Sequence, residues 1–465
     1  MKKLGLVITD GVGFRNFILS NFVRASNSKF SKIIIFSALP KEVFDKLDLP
    51  NFEIIELPNY QEKGATWFFR KLKEVAHLRK NEANNFGFYD NLKANYTNAN
   101  SRRGKLTRLA YRITRRFNSE KAIERFYKLQ QSSLSKNSVT DFYRKLLKKH
   151  SPDLLFFTHQ RPPYIAPLIY AAEIEGIETC SFIFSWDNLA SKGRMAGNFD
   201  HYLVWSDLMR SELLQFYSGI CEEQIKIVGT PQFEPYVMKE YESEIEEFYD
   251  CFGLDRNLKT ICFSCGDFST SVNDPLYIET IAEAIINKGI QEDVNFLVRT
   301  SPAEEPERFK YLREKFPFIK WNYPAWTQSR NKHSEMWSQR VPSAEDLKDL
   351  RMILEFSDLG INMCSTMSLD FMIFDKPVIN PVFGNADNGL YNDQRFLNYA
   401  HYKNVVDSGS VRIARDKNEL IAEINSYLEN PKADSKKRKE LLALQISKDL
   451  KGTSSRISEV LAHLE

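Results

Sequence analysis

The 465-residue chain lacks several features that would place it in a familiar class at once. No apolar stretch approaches the roughly 20 residues that a membrane-spanning helix needs, and no signal peptide is recognisable before Leu4. Its 6 cysteines are scattered, and the one CxxC spacing, at Cys262 and Cys265, has no second pair. In a β-like run those two side chains face opposite sides, which argues against zinc. We therefore expect reduced thiols and a cytoplasmic protein, peripheral at most on the inner face of the cell membrane.

A complete dinucleotide-binding fingerprint is also missing. Gly11 and Gly13 follow the first predicted strand, but the third glycine is absent. The second predicted strand ends at Phe36-Ser37 without the acidic residue that would hold a ribose, so NAD binding is not expected. The alternative left for Gly11 and Gly13 is a turn that lets a substrate approach the backbone. No cluster of His, Cys and carboxylates has the spacing of metal ligands, and we expect no cofactor.

Positive charge is concentrated in one segment. The whole chain has a net charge of +3, yet residues 70–128 contain 16 Lys and Arg against 5 Asp and Glu, a net +11. Such a patch suits anionic lipid, a phosphorylated acceptor or nucleic acid. We expect an anionic membrane surface rather than nucleic acid, because no recognised RNA- or DNA-binding module surrounds the patch. The alternative is a solvated helical face.

Apolar strand runs alternate with helical patterns, which predicts α/β architecture with parallel sheets. Strands are predicted at 4–8, 32–36, 52–56, 153–157, 178–184, 201–204, 224–228, 260–264, 295–299, 318–321, 359–363 and 377–379. Residues 60–150 interrupt the alternation as a basic helical insertion with a loop at 81–100. We predict two Rossmann-like doubly wound domains facing a central cleft, over 1–234 and 235–430, with helices at 431–465 that cross back to the first domain.

Polar residues that follow predicted strands are the candidate site, because ligands of such sheets bind at the carboxyl ends of the strands. The N-terminal half supplies candidate bases, in the order Asp187, His159 and Asp10. A polar residue at a loop start is the alternative for His159. The remaining N-terminal candidates are predicted to line the acceptor side: Gly11, Gly13, Asn188, Ser191, Lys192 and Arg194.

The C-terminal half supplies candidates for an anion site. Ser365, Thr366 and Ser368 lie between a predicted strand and a helix start, where backbone N–H groups and the helix dipole attract phosphate. Ordinary helix capping by Ser and Thr is the alternative. Asp370 is one turn further on, where a ribose hydroxyl would bind. Candidates after the neighbouring strands are Arg299, Ser301, Gly266 and Asp267.

Four segments resemble a known group of proteins. Residues 182–194, 202–206 and 229–234 resemble bacterial surface-carbohydrate biosynthesis proteins, of capsule or lipopolysaccharide type, which are similar to GT-B glycosyltransferases. Residues 357–380 resemble the nucleotide-binding end of CDP-glycerol glycerophosphotransferases. The resemblance covers most of 150–385 and is absent from the basic insertion. It implies a nucleotide donor in the C-terminal domain, an acceptor in the N-terminal domain and no metal. One departure is Ser301, where relatives often carry the histidine of a His-Pro pair.

Three functions remain open on these grounds. The first is metal-independent transfer of a sugar from a nucleotide donor to a surface polysaccharide or lipid-linked glycan. The second moves a polyol phosphate from a CDP donor. The third is a non-catalytic subunit of a capsule assembly complex, because a fold does not fix a function.

Overall fold

A computed structural model describes residues 1–45, 47, 52–385 and 393–464, and its contacts divide the chain into two compact units. Unit 1 comprises Met1–Pro231, Gln328–Val341 and Ser447–Glu465, and unit 2 comprises Gln232–Thr327 and Pro342–Ile446. Neither unit is one continuous stretch of sequence, because the later segments 328–341 and 447–465 belong to unit 1.

Unit 1 is built on a parallel sheet of 7 described strands. The strands are β1 (Lys3–Ile8), β2 (Lys32–Ser37), β3 (Phe52–Glu56), β4 (Leu154–Phe157), β5 (Glu178–Phe182), β6 (His201–Val204) and β7 (Ile225–Ile227). They lie in the order β3-β2-β1-β4-β5-β6-β7. After β1 the chain first builds the β2–β3 side and then returns to β4 on the other side. This reversal is the point at which doubly wound sheets bind their ligands.

Helices surround this sheet and form the insertion. They are α1 (Gly11–Phe17), α2 (Phe22–Asn27), α3 (Gly64–Asn81), α4 (Phe86–Ala94), α5 (Arg102–Thr114), α6 (Glu120–Leu134), α7 (Ser138–His150), α8 (Ala166–Glu175), α9 (Asn188–Ser191) and α10 (Asp207–Phe216). The predicted loop at 81–100 is wrong for α4, because the Asn85 side chain caps that helix by accepting a hydrogen bond from the Phe88 N–H.

Unit 2 repeats the same design with 6 described strands. The strands of its sheet are β8 (Lys259–Ser264), β9 (Val294–Arg299), β10 (Lys320–Asn322), β13 (Leu359–Ile361), β14 (Val378–Pro381) and β15 (Arg412–Ala414). Their order is β10-β9-β8-β13-β14-β15, so the reversal lies between β8 and β13. The helices are α11 (Ile245–Phe252), α12 (Asp274–Ile286), α13 (Lys310–Lys315), α14 (Ala344–Phe356), α15 (Met367–Ile373), α16 (Ala400–Ser408), α17 (Lys417–Glu429) and α18 (Ser435–Ile446).

Two short strands and a C-terminal helix remain. Strands β11 (Trp326–Gln328) and β12 (Arg340–Pro342) pair with each other, and helix α19 (Thr453–Ala462) returns to unit 1. The strand pairs of the 7-stranded and the 6-stranded sheet are parallel. Central strands such as β4 and β8 are almost wholly buried, as expected of sheets covered on both faces. The predicted α/β class with two Rossmann-like doubly wound domains is confirmed.

Candidate functional site

Asp10 and His159 come together where β1 and β4 end, at the reversal point of the unit 1 sheet. The His159 Nδ1 atom lies 2.9 Å from Asp10 Oδ2, although the two residues are 149 positions apart in sequence. Both side chains are buried, with Asp10 fully inaccessible. β1 and β4 are adjacent and parallel, so their carboxyl ends deliver the two residues to the same edge of the sheet.

Helix α1 fixes the position of the Asp10 carboxylate. Asp10 is the N-cap residue, with extended backbone, and its Oδ1 accepts a hydrogen bond of 2.8 Å from the Gly13 N–H. Its Oδ2 accepts a second hydrogen bond, from Thr9 Oγ1 at 2.8 Å, besides facing His159. A carboxylate held in this way accepts a hydrogen bond from a protonated Nδ1 of His159. In that tautomer Nε2 is the imidazole nitrogen with a free lone pair.

The His159 ring is held from a second side by Phe184. The two rings are stacked, with centroids 3.9 Å apart and planes inclined by 15°. Burial lowers the pKa of His159, and the interaction with Asp10 partly opposes this, so the ring is neutral at neutral pH. Nε2 is buried and has no hydrogen-bond partner within the described residues. A neutral, oriented imidazole with a free Nε2 is suited to accept a proton.

Residues 328–341, here called the strap, pack onto this site within unit 1. A Cβ atom on Gly11 would lie 1.7 Å from the Arg340 carbonyl oxygen, so glycine is required for the strap to approach. One on Gly13 would lie 2.6 Å from Thr158 Oγ1. The two predicted acceptor-side glycines therefore make room for this chain's own atoms. Trp337 in the strap is 40% exposed, and its ring centroid is 6.5 Å from that of His159.

Gln160 connects the His159 loop to the loop after β5. Its amide donates to Asn188 Oδ1 at 3.1 Å, and its carbonyl accepts from the Phe184 N–H at 3.1 Å. Asn188 in turn donates to Asp187 Oδ1 at 2.9 Å. The predicted base Asp187 is thus half-buried and engaged, with Lys192 Nζ at 3.5 Å from its other oxygen. The carboxylate of Asp187 thus has partners within its own loop, whereas Nε2 of His159 has no hydrogen-bond partner within the described residues.

The other residues of the 184–194 loop take structural positions. Ser191 is buried, and its hydroxyl donates to the Asp187 carbonyl oxygen. Arg194 pairs with Glu120 at 2.7 Å and lies over the Tyr217 ring at 4.6 Å. Arg194 therefore ties this loop to the helical insertion. Lys192, with a third of its side chain exposed, keeps its ammonium group nearer to solvent.

In unit 2 the turn after β13 is organised by Asn362. Its Oδ1 accepts hydrogen bonds from the Ser365 N–H at 2.9 Å and from the Ser368 hydroxyl at 3.1 Å. Ser368 also meets Tyr402 and Asn380, at 2.9 and 3.2 Å, inside the protein. Ser368 is fully buried, so it holds the turn together and is not placed to contact a donor.

Ser365 and Thr366 keep the exposure that a phosphate contact requires. Both are half-buried at the start of α15, where Thr366 is the N-cap residue. Asp370 was predicted to contact a ribose. Its side chain is buried and accepts a hydrogen bond from the Tyr236 hydroxyl. Of the three hydroxyl residues of the predicted turn, Ser365 and Thr366 are therefore the two with partly exposed side chains.

Arg299 is buried and forms an ion pair with Asp346, in which Nη2 lies 2.9 Å from each of the two carboxylate oxygens. Its guanidinium also donates to Asn322. The pair compensates the arginine charge inside unit 2, so Arg299 takes a structural role here. Ser301 is buried as well, and its hydroxyl accepts from the Ala303 N–H at 3.2 Å.

Hydrogen bonds with Asp274 and Arg308 hold the glycine turn after β8 in place. The Gly266 N–H donates to Asp274 Oδ2 at 2.9 Å, and Arg308 donates to the Gly266 carbonyl oxygen at 2.7 Å. Asp267 is half-buried and receives hydrogen bonds from the Ser269 N–H and the Thr270 hydroxyl, at 2.9 and 2.8 Å. Gly266 and Asp267 therefore form a hydrogen-bonded turn at the reversal point of the unit 2 sheet.

Two residues that contact the site, Gln160 and Trp337, were not predicted from the sequence. Gln160 had a signal, since it directly follows His159 at a strand end. Trp337 had none, because nothing in the sequence places residues 328–341 against helix α1 and His159. Among the described residues no group of three or more His, Cys, Asp or Glu is arranged to hold a metal ion. No described helix combines the length and apolar character of a membrane span.

Solved structures with a similar fold cover nearly the whole chain. UDP-GlcNAc 2-epimerase from Methanocaldococcus jannaschii is 13% identical with a TM-score of 0.50, over 99% of this chain and 100% of that one. The enzyme of the same name from Neisseria meningitidis, bound to UDP-GlcNAc, is 10% identical with a TM-score of 0.53, over 99% of each chain. Anabaena Alr3699/HepE, in complex with UDP and glucose, is 11% identical with a TM-score of 0.51, over 100% of both. At these identities the likeness concerns the fold alone.

Sequence comparison is more specific. No curated protein matches the chain significantly. Residues 186–463 match the family described as CDP-glycerol:poly(glycerophosphate) glycerophosphotransferase. This segment contains the 184–194 loop from Trp186 onward and the whole of unit 2, but not the insertion helices α3 to α7. The predicted resemblance is confirmed: the chain belongs to the CDP-glycerol:poly(glycerophosphate) glycerophosphotransferase family of transferases.

Proposed function

We propose that this protein transfers a polyol phosphate from a CDP-activated donor to a hydroxyl of a surface glycan or lipid-linked glycan, with His159 as general base. The observation that carries the proposal is the Asp10–His159 pair, with its 2.9 Å contact and its buried, unpartnered Nε2 at a ligand-binding edge of the sheet. Family membership supports the donor class.

The proposed reaction needs one proton acceptor. Nε2 of His159 takes the proton from the acceptor hydroxyl while its Nδ1–H donates to Asp10, which stabilises the imidazolium that forms. The acceptor oxygen attacks the phosphorus that bears the polyol. The phosphoanhydride bond breaks, CMP departs with the bonding electrons, and the polyol phosphate becomes a phosphodiester of the acceptor.

The donor diphosphate is assigned to unit 2, at the turns after β8 and β13. Ser365 and Thr366 are the half-buried hydroxyl residues at the start of α15, and the first N–H groups of that helix donate to atoms of these two residues. The Gly266–Asp267 turn follows β8, which is the neighbour of β13 at the reversal point of the unit 2 sheet. Backbone donors and hydroxyls would neutralise the departing phosphate without a metal.

Sugar transfer is the second candidate function, and Ser301 favours it. Relatives resembling this chain often have a histidine at that position, whereas here a buried serine binds its own backbone. The loss of a histidine contact to phosphate points to a donor with different demands. In sugar transfer the bond between the anomeric carbon and phosphate oxygen breaks, and a nucleoside diphosphate departs.

A donor panel separates the two functions. The purified protein is incubated with CDP-glycerol, CDP-ribitol or a set of UDP-, GDP- and dTDP-sugars, with a glycan acceptor, and nucleotide release is measured by chromatography. Release of CMP that requires the acceptor supports polyol-phosphate transfer, and release of a nucleoside diphosphate supports sugar transfer. Protein that neither binds nor turns over any donor at millimolar concentration would contradict both functions and favour a non-catalytic role.

A further inference from the structure

Trp337 presents an exposed aromatic ring next to the proposed base. It lies in the strap, and 40% of its surface is exposed. The centroid of its ring lies 6.5 Å from that of His159 and 6.4 Å from that of Phe184. Phe184 in turn is stacked on the imidazole of His159. Aromatic rings therefore gather around the base, and the indole of Trp337 is the most exposed of them.

Contacts with unit 1 hold the strap, and with it Trp337, in place. The Asn59 side chain donates to the Lys332 carbonyl oxygen at 3.1 Å. His333 packs edge-on against Tyr164, with ring centroids 4.9 Å apart. At its other end the strap approaches helix α1 so closely that a glycine is needed there, as described above. Packing therefore sets the position of the indole without burying it.

Two charged side chains lie near the same ring. Arg161 follows His159 by two residues and is half-buried, and its Nε atom is buried without a hydrogen-bond partner among the described residues. Glu335, two residues before Trp337 in the strap, is also half-buried. Burial raises the pKa of Glu335, the charge of Arg161 opposes this, and that of Asp10 adds to it. Arg161 and Glu335 are therefore close to each other and to the Asp10–His159 pair.

An exposed aromatic ring flanked by planar charged groups is suited to bind a pyranose sugar. One face of a pyranose ring presents C–H bonds, whose hydrogen atoms pack against the negative face of an indole. The hydroxyl groups of the sugar lie around its edge, where a guanidinium donates hydrogen bonds to them and a carboxylate accepts hydrogen bonds from them. A three-carbon polyol phosphate has no flat C–H face, so it would gain little from the indole.

We propose that Trp337, Arg161 and Glu335 form a subsite for a pyranose residue at the end of the acceptor, with the indole as its platform. The inference rests on the proposed function, because it places the hydroxyl that His159 deprotonates on this sugar. The 6.5 Å between the indole and imidazole centroids is of the order of one sugar unit. A ring lying on Trp337 therefore reaches Nε2 with one of its own hydroxyls. The acceptor then ends in a sugar and not in a polyol phosphate.

A nucleobase is the other common partner of an exposed aromatic ring. The donor nucleotide is assigned to unit 2, however, whereas Trp337 belongs to unit 1 and lies beside the atom that takes the acceptor proton. A group bound on this indole is therefore part of the acceptor.

Saturation-transfer NMR on the full chain tests the subsite without any donor. The probes are methyl pyranosides of glucose, galactose, mannose and N-acetylglucosamine at millimolar concentration, with glycerol 3-phosphate as the acyclic comparison. The expected result is transfer to the ring C–H protons of a pyranoside and none to glycerol 3-phosphate. Trp337→Ala should weaken pyranoside binding about tenfold, the upper end of what an aromatic stack contributes, and Trp337→Tyr should restore most of it. Arg161→Ala should also weaken it about tenfold, through the lost charged hydrogen bonds.

Phe142→Ala is the matched control, because Phe142 is 46% exposed and lies on helix α7 of the same unit. It is expected to bind pyranosides like the wild type. Equal loss in this control and in Trp337→Ala would overturn the proposal, as would a wild type that shows no transfer to any of the pyranosides. Displacement of a bound pyranoside by CMP or UMP would assign the indole to a nucleobase instead. Unchanged unfolding temperatures show that the variants are folded.

Turnover separates this inference from the proposed function. With an acceptor that ends in a pyranose, Trp337→Ala should raise KM for the acceptor about tenfold and leave kcat and KM for the donor nearly unchanged. Transfer to a glycerol phosphate acceptor that Trp337→Ala does not affect would keep the proposed function and overturn the subsite. Pyranoside binding that depends on Trp337, without nucleotide release from any donor, would keep the subsite and contradict the proposed function. An equal rise in both KM values with a lowered unfolding temperature would show a structural role and overturn the subsite.

Discussion

Replacing Asp10 by asparagine changes the proposed base without changing its surroundings. Asparagine caps a helix about as well as aspartate, so its Oδ1 can keep the 2.8 Å hydrogen bond from the Gly13 N–H. The other oxygen becomes an NH₂ group facing His159 Nδ1. The amide then donates to Nδ1, and the imidazole proton moves to Nε2, which loses the lone pair that accepts the substrate proton.

The magnitude follows from the role assigned to His159. General base catalysis contributes about 100- to 10,000-fold, so kcat should fall by that factor while KM for the donor changes little. Stability should change much less, because one charge-assisted hydrogen bond contributes about 1.5–3 kcal/mol. Asp10 raises the pKa of His159 against the lowering effect of burial. In the variant that pKa falls further, and the acidic limb of residual activity moves to lower pH.

The assay is nucleotide release measured against pH, with unfolding in urea as the control for folding. The wild type should lose activity as pH falls through the depressed pKa of His159, since protonation removes the base. An Asp10→Asn variant with undiminished kcat, or with the acidic limb at the wild-type position, would refute the assignment. Asp10→Ala is the harsher comparison, because it removes the helix cap as well.

Four further substitutions test the roles assigned to these residues. Gly11→Ala should lower the unfolding free energy by about 1–3 kcal/mol in urea, since its methyl group would overlap the strap; an unchanged value would contradict that contact. Asp346→Asn should cost about 3–5 kcal/mol, because buried Arg299 loses its counter-charge; a cost below about 1 kcal/mol would show the pair to be dispensable. Ser365→Ala should weaken donor binding about tenfold in calorimetry with little effect on stability, whereas Ser368→Ala should destabilise by about 1–3 kcal/mol; the reverse pattern would exchange their roles.

Much of the architecture could be predicted from local sequence. Strands buried on both faces read as continuous apolar runs, which is why the predicted strands 153–157 and 260–264 agree closely with β4 and β8. Short strands without such a run were missed, including β15 at Arg412–Ala414. Helix α4 was missed because its asparagine-rich flanks resemble a loop, while the capping hydrogen bond of Asn85 that starts the helix is a detail of geometry.

The site shows where prediction from sequence ends. Strand ends identified His159 and Asp10 separately, but their pairing across 149 residues depends on the order of strands in the sheet. The sequence likewise offered Arg299 as a phosphate ligand, because it could not show that Asp346 would be buried beside it. The choice between a ligand contact and an internal partner is made by tertiary packing.

The most direct test of the central claim compares His159→Asn with Asp187→Asn in one nucleotide-release assay. The account predicts that His159→Asn loses about 100- to 10,000-fold in kcat, while Asp187→Asn, whose carboxylate is already engaged by Asn188 and Lys192, keeps most of its activity. Full activity in the folded His159 variant, together with loss in the Asp187 variant, would contradict the account and return the base to Asp187.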